Sequence, residues 1–146
     1  MADGVFNIAL GRVVEKIADS ASACLVLLLQ ANEAESTLVD RDNVALMLAE
    51  TGITEATATS YARKTGLTAT IALDDTNDWC DVDIGDQSWS PLGGATNNTL
   101  TKLVIAYEES ASDTGRVPLT HHDFAVTTDG SAVTAQVNTE GFFRAT

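Results

Sequence analysis

Residues 67–84 read LTATIALDDTNDWCDVDI, and the period of this stretch decides the fold class. Leu67, Ala69, Ile71 and Leu73 alternate with Thr68, Thr70 and Ala72, which puts the larger apolar side chains on one face of an extended chain. Asp74-Asp75-Thr76-Asn77-Asp78 then supplies a turn rich in side chains that hydrogen-bond their own backbone. The chain returns with Cys80, Val82 and Ile84 on one face and Trp79, Asp81 and Asp83 on the other, ending near Gly85-Asp86. An antiparallel hairpin is the expectation.

Outward from this hairpin, Cys24-Leu25-Val26-Leu27-Leu28-Leu29 and Leu103-Val104-Ile105-Ala106-Tyr107 are apolar runs of strand length. Such runs suit central strands covered on both faces. Gln87 to Leu92 reads as a short strand stopped by Pro91 and Gly93-Gly94. Phe124-Ala125-Val126-Thr127 and Val133 to Val137 flank Thr128-Asp129-Gly130-Ser131, which predicts a second hairpin, because Asp-Gly readily supplies positive φ angles. One helix is expected, with Asp40 or Asp42 as N-cap, Val44 to Glu50 as its body and Gly52 as its end; Val44, Met47 and Leu48 share its core face. Val5 to Ala18 reads as extended and Thr54 to Ser60 as loop or edge strand. No fixed-period repeat or Pro-rich linker divides the chain. The fold class is therefore mainly β, an antiparallel β-sandwich or small barrel with one short α-helix. Residues 1–146 form a single structural domain, with an N-terminal arm over 1–12 and a C-terminal docking segment over 139–146.

The 146 residues are 45% apolar and 20% charged, enough for one core that buries roughly 70% of the unfolded surface. Twenty-one acidic residues against 8 basic ones give a formal net charge of −13. Arg63-Lys64 is the single adjacent basic pair, so nucleic acid, which demands clustered Lys and Arg, is excluded as a partner. Acidic membrane surfaces are disfavoured for the same reason. The longest apolar run, Ala23 to Leu29, is too short for a bilayer, and no secretion signal is visible, so synthesis in a cytoplasm is expected. Cys24 and Cys80 show no CxxC spacing and read as buried thiols.

Candidate chemistry is sparse. Asp74, Asp75, Asp78, Asp81, Asp83 and Asp86 invite a calcium reading, but no register places ligands where an EF-hand loop needs them, and a solvated turn with an exposed strand face is preferred. His121 and His122 are adjacent, so on a strand their rings point to opposite faces and do not converge on one metal. A thiol nucleophile from Cys24 or Cys80 has no supporting motif, and GxSxG, GxxxxGK[ST] and GxGxxG are all absent. Trp79 and Trp89 suit core or interface filling better than a sugar platform. The expectation is a non-enzymatic protein without catalytic, cofactor or metal residues.

Several strings carry a family resemblance: Phe6-Asn7-Ile8-Ala9, Gly11-Arg12-Val13, Arg63-Lys64, Asp74-Asp75-Thr76-Asn77-Asp78, Trp89, Leu103-Val104-Ile105-Ala106-Tyr107, Pro118-Leu119-Thr120, His122-Asp123-Phe124-Ala125-Val126, Asp129-Gly130-Ser131 and Gly141-Phe142-Phe143-Arg144-Ala145. Together they resemble small virion proteins of tailed bacteriophages infecting actinobacteria, encoded near the major capsid protein. The resemblance implies a head decoration or minor capsid protein bound to the outer capsid surface of the virion, with the major capsid protein as partner and a homo-oligomer, a trimer, at local three-fold positions. A tail tube or head-to-tail connector protein is the alternative within that context, and a carbohydrate- or cell-surface-binding module the alternative outside it. The expected contact residues are Phe6 in the N-terminal arm, Trp89, and Phe142, Phe143 and Arg144 in the terminal segment.

Overall fold

The two apolar runs lie side by side. In the computed structural model, which describes residues 3–9, 13–20 and 22–146, they become neighbouring antiparallel strands that pair Leu27 with Val104 and Leu28 with Leu103. In chain order the elements are β1 (Gly4–Val5), α1 (Val13–Asp19), β2 (Cys24–Ala31), α2 (Glu35–Leu38), α3 (Val44–Leu48), β3 (Thr54–Glu55), β4 (Lys64–Leu67) and β5 (Ala69–Asp74). They continue with β6 (Trp79–Ile84), β7 (Gln87–Trp89), β8 (Lys102–Glu108), β9 (Arg116–Asp123), β10 (Val133–Ala135) and β11 (Phe143–Ala145). The largest sheet runs β1-β9-β8-β2-β3, with β4 also on β2, and two smaller sheets run β11-β6-β5 and β10-β7. Among the described residues all strand pairings are antiparallel and each sheet has open ends, so the small-barrel alternative is not realised.

The register explains why β2 and β8 are apolar without interruption. Leu25, Leu27 and Leu29 share one face with Ala106, Val104 and Lys102, while Cys24, Val26 and Leu28 share the other with Tyr107, Ile105 and Leu103, and all of them are buried. Both faces are covered, so neither carries the polar alternation of a half-solvated sheet. On the first face Phe6 meets His121 edge-on, with ring centroids 5.6 Å apart, and α3 packs near β9. On the second, Phe142, Phe124 and Val137 stand across from Leu103 and Ile105.

Among the described residues three α-helices form where one was expected. Val13 and Ile17, one turn apart, are both buried, so the segment read as extended coils into α1 from Val13 onward. The sequence reads there as a strand with one broken alternation, and burial of one helical face overrode that pattern. Gly11 and Arg12, part of the same reading, lie outside the described residues. The cap of α3 is Asn43, whose Oδ1 accepts from the Leu46 N–H at 2.8 Å, and Asp40 instead accepts from Asn7 Nδ2. The helix stops at Leu48, capped by Ala49 in a right-handed conformation, so Gly52 does not close it.

The second predicted hairpin is also corrected. Gly130 does take a positive φ of 96°, but the turn redirects the chain between partners instead of folding it back on itself. Residues before the turn follow the segment ahead of β8, through Leu100 N–H to Val126 O and a Thr99–Thr127 bridge. Residues after it form β10 on β7. The Leu92 backbone holds the turn by donating to Ser131 O and accepting from the Gly130 N–H.

Candidate docking surface

The hairpin expected over residues 67–84 forms as β5 and β6, and its register matches the alternation: Ala69 opposes Ile84, Ile71 opposes Val82 and Leu73 opposes Cys80. Strand β11 adds to the far side of β6, pairing Phe143 with Val82 and Ala145 with Cys80. One face of this small sheet therefore carries Ala69, Ile71, Leu73, Cys80, Val82, Ile84, Phe143 and Ala145. The other carries Asp81 and Arg144, where Arg144 forms a bidentate pair with Asp81 at 2.6 and 3.0 Å, lies 3.9 Å over the Trp79 ring and reaches Glu140 at 3.2 Å. The Arg144 hydrogen bonds hold the Asp81 carboxyl below its ordinary pKa.

The turn is tightly built. Asp74 Oδ1 accepts from the Thr76 and Asn77 N–H groups at 2.9 and 3.0 Å, and Asp78 adopts a φ of +58°. These bonds hold the Asp74 carboxyl low, led by the one from the Asn77 side chain.

Burial along the apolar face is graded. Ala69, Val82 and Ile84 sit in the core, whereas Ile71 is 37% exposed and Leu73, towards the tip, is 75% exposed. The apolar face thus overhangs the core and continues into a tip groove of about 270 Å³ lined by Leu73, Trp79, Cys80 and Ala145 together with Asp74, Asp75 and Asp78. Among the described residues no cation forms a salt bridge with Asp75 or Asp78.

The contact residues expected from sequence divide differently in space. Phe6, Trp89 and Phe142 are buried in this chain's own core, and Trp89 Nε1 donates to Ala62 O at 2.8 Å. Phe6 belongs to a segment tied down by the pairing of β1 with β9 and by its N–H bond to Leu119 O, so the described part of the expected arm is integrated in the sheet; residues 1–2 and 10–12 lie outside the described residues. Phe143 and Arg144 are half-buried on β11 and belong to the hairpin sheet. The sequence reading missed Ile71 and Leu73 as surface residues, because alternation marks a shared face without telling whether anything covers it.

Elsewhere the polar groups are spent on structure. A second cleft, of about 400 Å³, lies between β9 and residues 135–142, with Asp3, His122 and Asp123 among its lining and no Ser, Thr or Cys. His122 is held on both sides, Nδ1 3.2 Å from Asp3 Oδ2 and Nε2 3.0 Å from Thr120 Oγ1. His121 points to the opposite face, as adjacency on a strand requires, and is buried with neither ring nitrogen hydrogen-bonded. Burial, helped by the charge of Lys102, lowers its pKa. Lys102 itself is buried between Glu35 and Asp123; burial opposes its charge, but the bonds to both carboxylates outweigh that and raise its pKa. Arg63 joins Glu55 and Asp113, and Arg116 joins Glu108 and Asp113, in a network that ties the loop after β8 to the sheet.

Of the Asp residues of the calcium reading, Asp74 serves the turn, Asp81 serves Arg144, and Asp86 accepts from the Val137 N–H at 2.8 Å, while Asp75 and Asp78 stay beside Asp74 at the tip. Among the described residues no group of three or more His, Cys, Asp or Glu is placed to hold a metal ion, and no helix is long and apolar enough to cross a membrane. Comparison with protein-family models, with curated proteins and with solved structures finds no match.

Proposed function

We propose that this chain is a structural subunit of a tailed-phage virion, a decoration protein that seats on the outer capsid surface, contacts the major capsid protein and groups as a trimer. The observation that carries the reading is the apolar face of the hairpin, which leaves Ile71 and Leu73 in solvent while, among the described residues, the other large apolar side chains apart from Leu46 are buried or partly buried. An apolar face that continues past the core towards an acidic tip is suited to burial against another protein. The resemblance to small actinophage virion proteins supplies the context. The charge of −13 supports orientation on a basic patch of a shell more than affinity for it.

The sugar-binding alternative gains nothing from the tryptophans, since Arg144 covers Trp79 and Trp89 is in the core. An open sheet edge also suits the rings of a tail tube or connector. Co-sedimentation with capsids lacking the protein, paired with light scattering of the purified chain, tests the choice. Saturable binding by a monomer or trimer supports decoration, and rings formed without capsid select the tail reading.

A further inference from the structure

We propose that β5 is an acceptor edge: a partner protein completes the small sheet by adding one extended, basic, apolar strand alongside residues 70–74. This rests on the reading of the chain as a protein-docking subunit and specifies what docks and how.

Four observations lead there. First, β5 ends its sheet, so one row of its backbone N–H and C=O groups has no strand partner. Second, it is long for an edge. The other strands that terminate sheets, β1, β3, β4, β7, β10 and β11, have two to four residues, whereas β5 has six. Third, its sequence carries no guard and its outer residues stay open. Soluble proteins blunt such edges with Lys, Pro, a bulge or a covering helix; Ala69-Thr70-Ile71-Ala72-Leu73-Asp74 contains neither Lys nor Pro, pairs with β6 in unbroken register, and, although α1 approaches β5, residues 70–73 are exposed. Fourth, the charges select the occupant. Asp74, Asp75 and Asp78 lie at the tip, and the nearby Arg144 is occupied by Asp81 and Glu140. A second copy would bring the same acidic tip and the same net charge of −13, so a basic strand fits where a self-pair is repelled. Such a strand would bond to the β5 backbone and lay alternate apolar side chains beside Ile71 and Leu73.

Hydrogen exchange at residues 70–74 of the full chain decides the matter, measured alone, with capsids lacking this protein, with a nonapeptide of alternating Val and Lys, and with its Val and Glu counterpart. The expected result is slowed exchange with the capsid or the Val–Lys peptide, none with the Val–Glu peptide, and binding at least about tenfold weaker in Ile71→Lys/Leu73→Lys. Both substituted positions are exposed, so the urea midpoint of that variant stays near the parent's, and Leu46→Lys, 52% exposed on α3, leaves binding unchanged. If the capsid does not bind but the Val–Lys peptide slows exchange, the virion reading falls and the acceptor edge stands. No slowing with either probe overturns the inference. Slowing that grows with the chain's own concentration also overturns it, since a second copy then fills the edge.

Discussion

Gly141→Ala should loosen the junction that holds β11 in place. Gly141 has a φ of +86°, and a Cβ built there would stand 2.2 Å from Val82 O and 2.7 Å from Val82 C. The left-handed backbone alone costs a residue with a side chain about 1–2 kcal/mol. The clash adds about 1–3 kcal/mol, the usual cost of overpacking, because the contacted atoms are backbone in a strand paired on both sides. Together these give about 2–5 kcal/mol, or a drop of roughly 1–2 M in the urea midpoint. A second route is release of residues 142–146, which limits the global loss but gives up the burial of Phe142 and the Arg144–Asp81 pair. Urea titration should therefore be read together with hydrogen exchange at β11: either the midpoint falls or the β11 amides lose protection. Gly85→Ala is the control, since its Cβ would meet nothing within 4 Å and its φ is not positive. A Gly141→Ala protein within about 0.5 kcal/mol of the parent, with β11 still protected, would refute the reasoning.

Lys102→Met should destabilise by about 3 kcal/mol near neutral pH, because it leaves the Glu35 and Asp123 carboxylates without the buried cation between them. Chemical denaturation at several pH values checks this, and the gap to the parent should narrow in acid, because the Lys102 bond holds the Glu35 carboxyl low in the parent and that contribution is lost as pH falls. His121, whose folded-state pKa is lowered by burial, takes up its proton more readily unfolded, so its contribution is complete above the unfolded pKa and is lost as pH falls. Stability should decline below about pH 6.5 by up to about 1.4 kcal/mol per pH unit for this proton, and His121→Leu should flatten that limb of the profile. A thiol reagent should label half-buried Cys80 on the native protein and Cys24 only on unfolding, since burial pushes the Cys24 thiol up to about 12. Partner binding along the hairpin face should slow the Cys80 reaction.

Much of the fold was legible because the decisive signals are local. The apolar runs at Cys24–Leu29 and Leu103–Tyr107 become the centre of the main sheet, and the period of residues 67–84 becomes β5 and β6. The Asp-Gly turn shows where local signals end: Gly130 has the expected positive φ, but the partners of the flanking segments are set by packing around Leu92 and Asn98. The broken alternation over Val13 to Ile17 misled for a related reason, since Val13 and Ile17, one turn apart, are buried together on a helix. The expected contact residues divide by burial, since aromatic size favours the interior: Phe6, Trp89 and Phe142 lie in the core, and the smaller Ile71 and Leu73 remain outside. Which end of an alternating strand projects beyond the core depends on the third dimension.

The most direct test of the account is sedimentation of the purified chain with capsids that lack it, with the Ile71→Lys/Leu73→Lys protein run in parallel. The account predicts saturable binding by the parent and binding weakened at least about tenfold in the variant, with both proteins equally folded. Equal binding by the two proteins, or none by the parent, would contradict it.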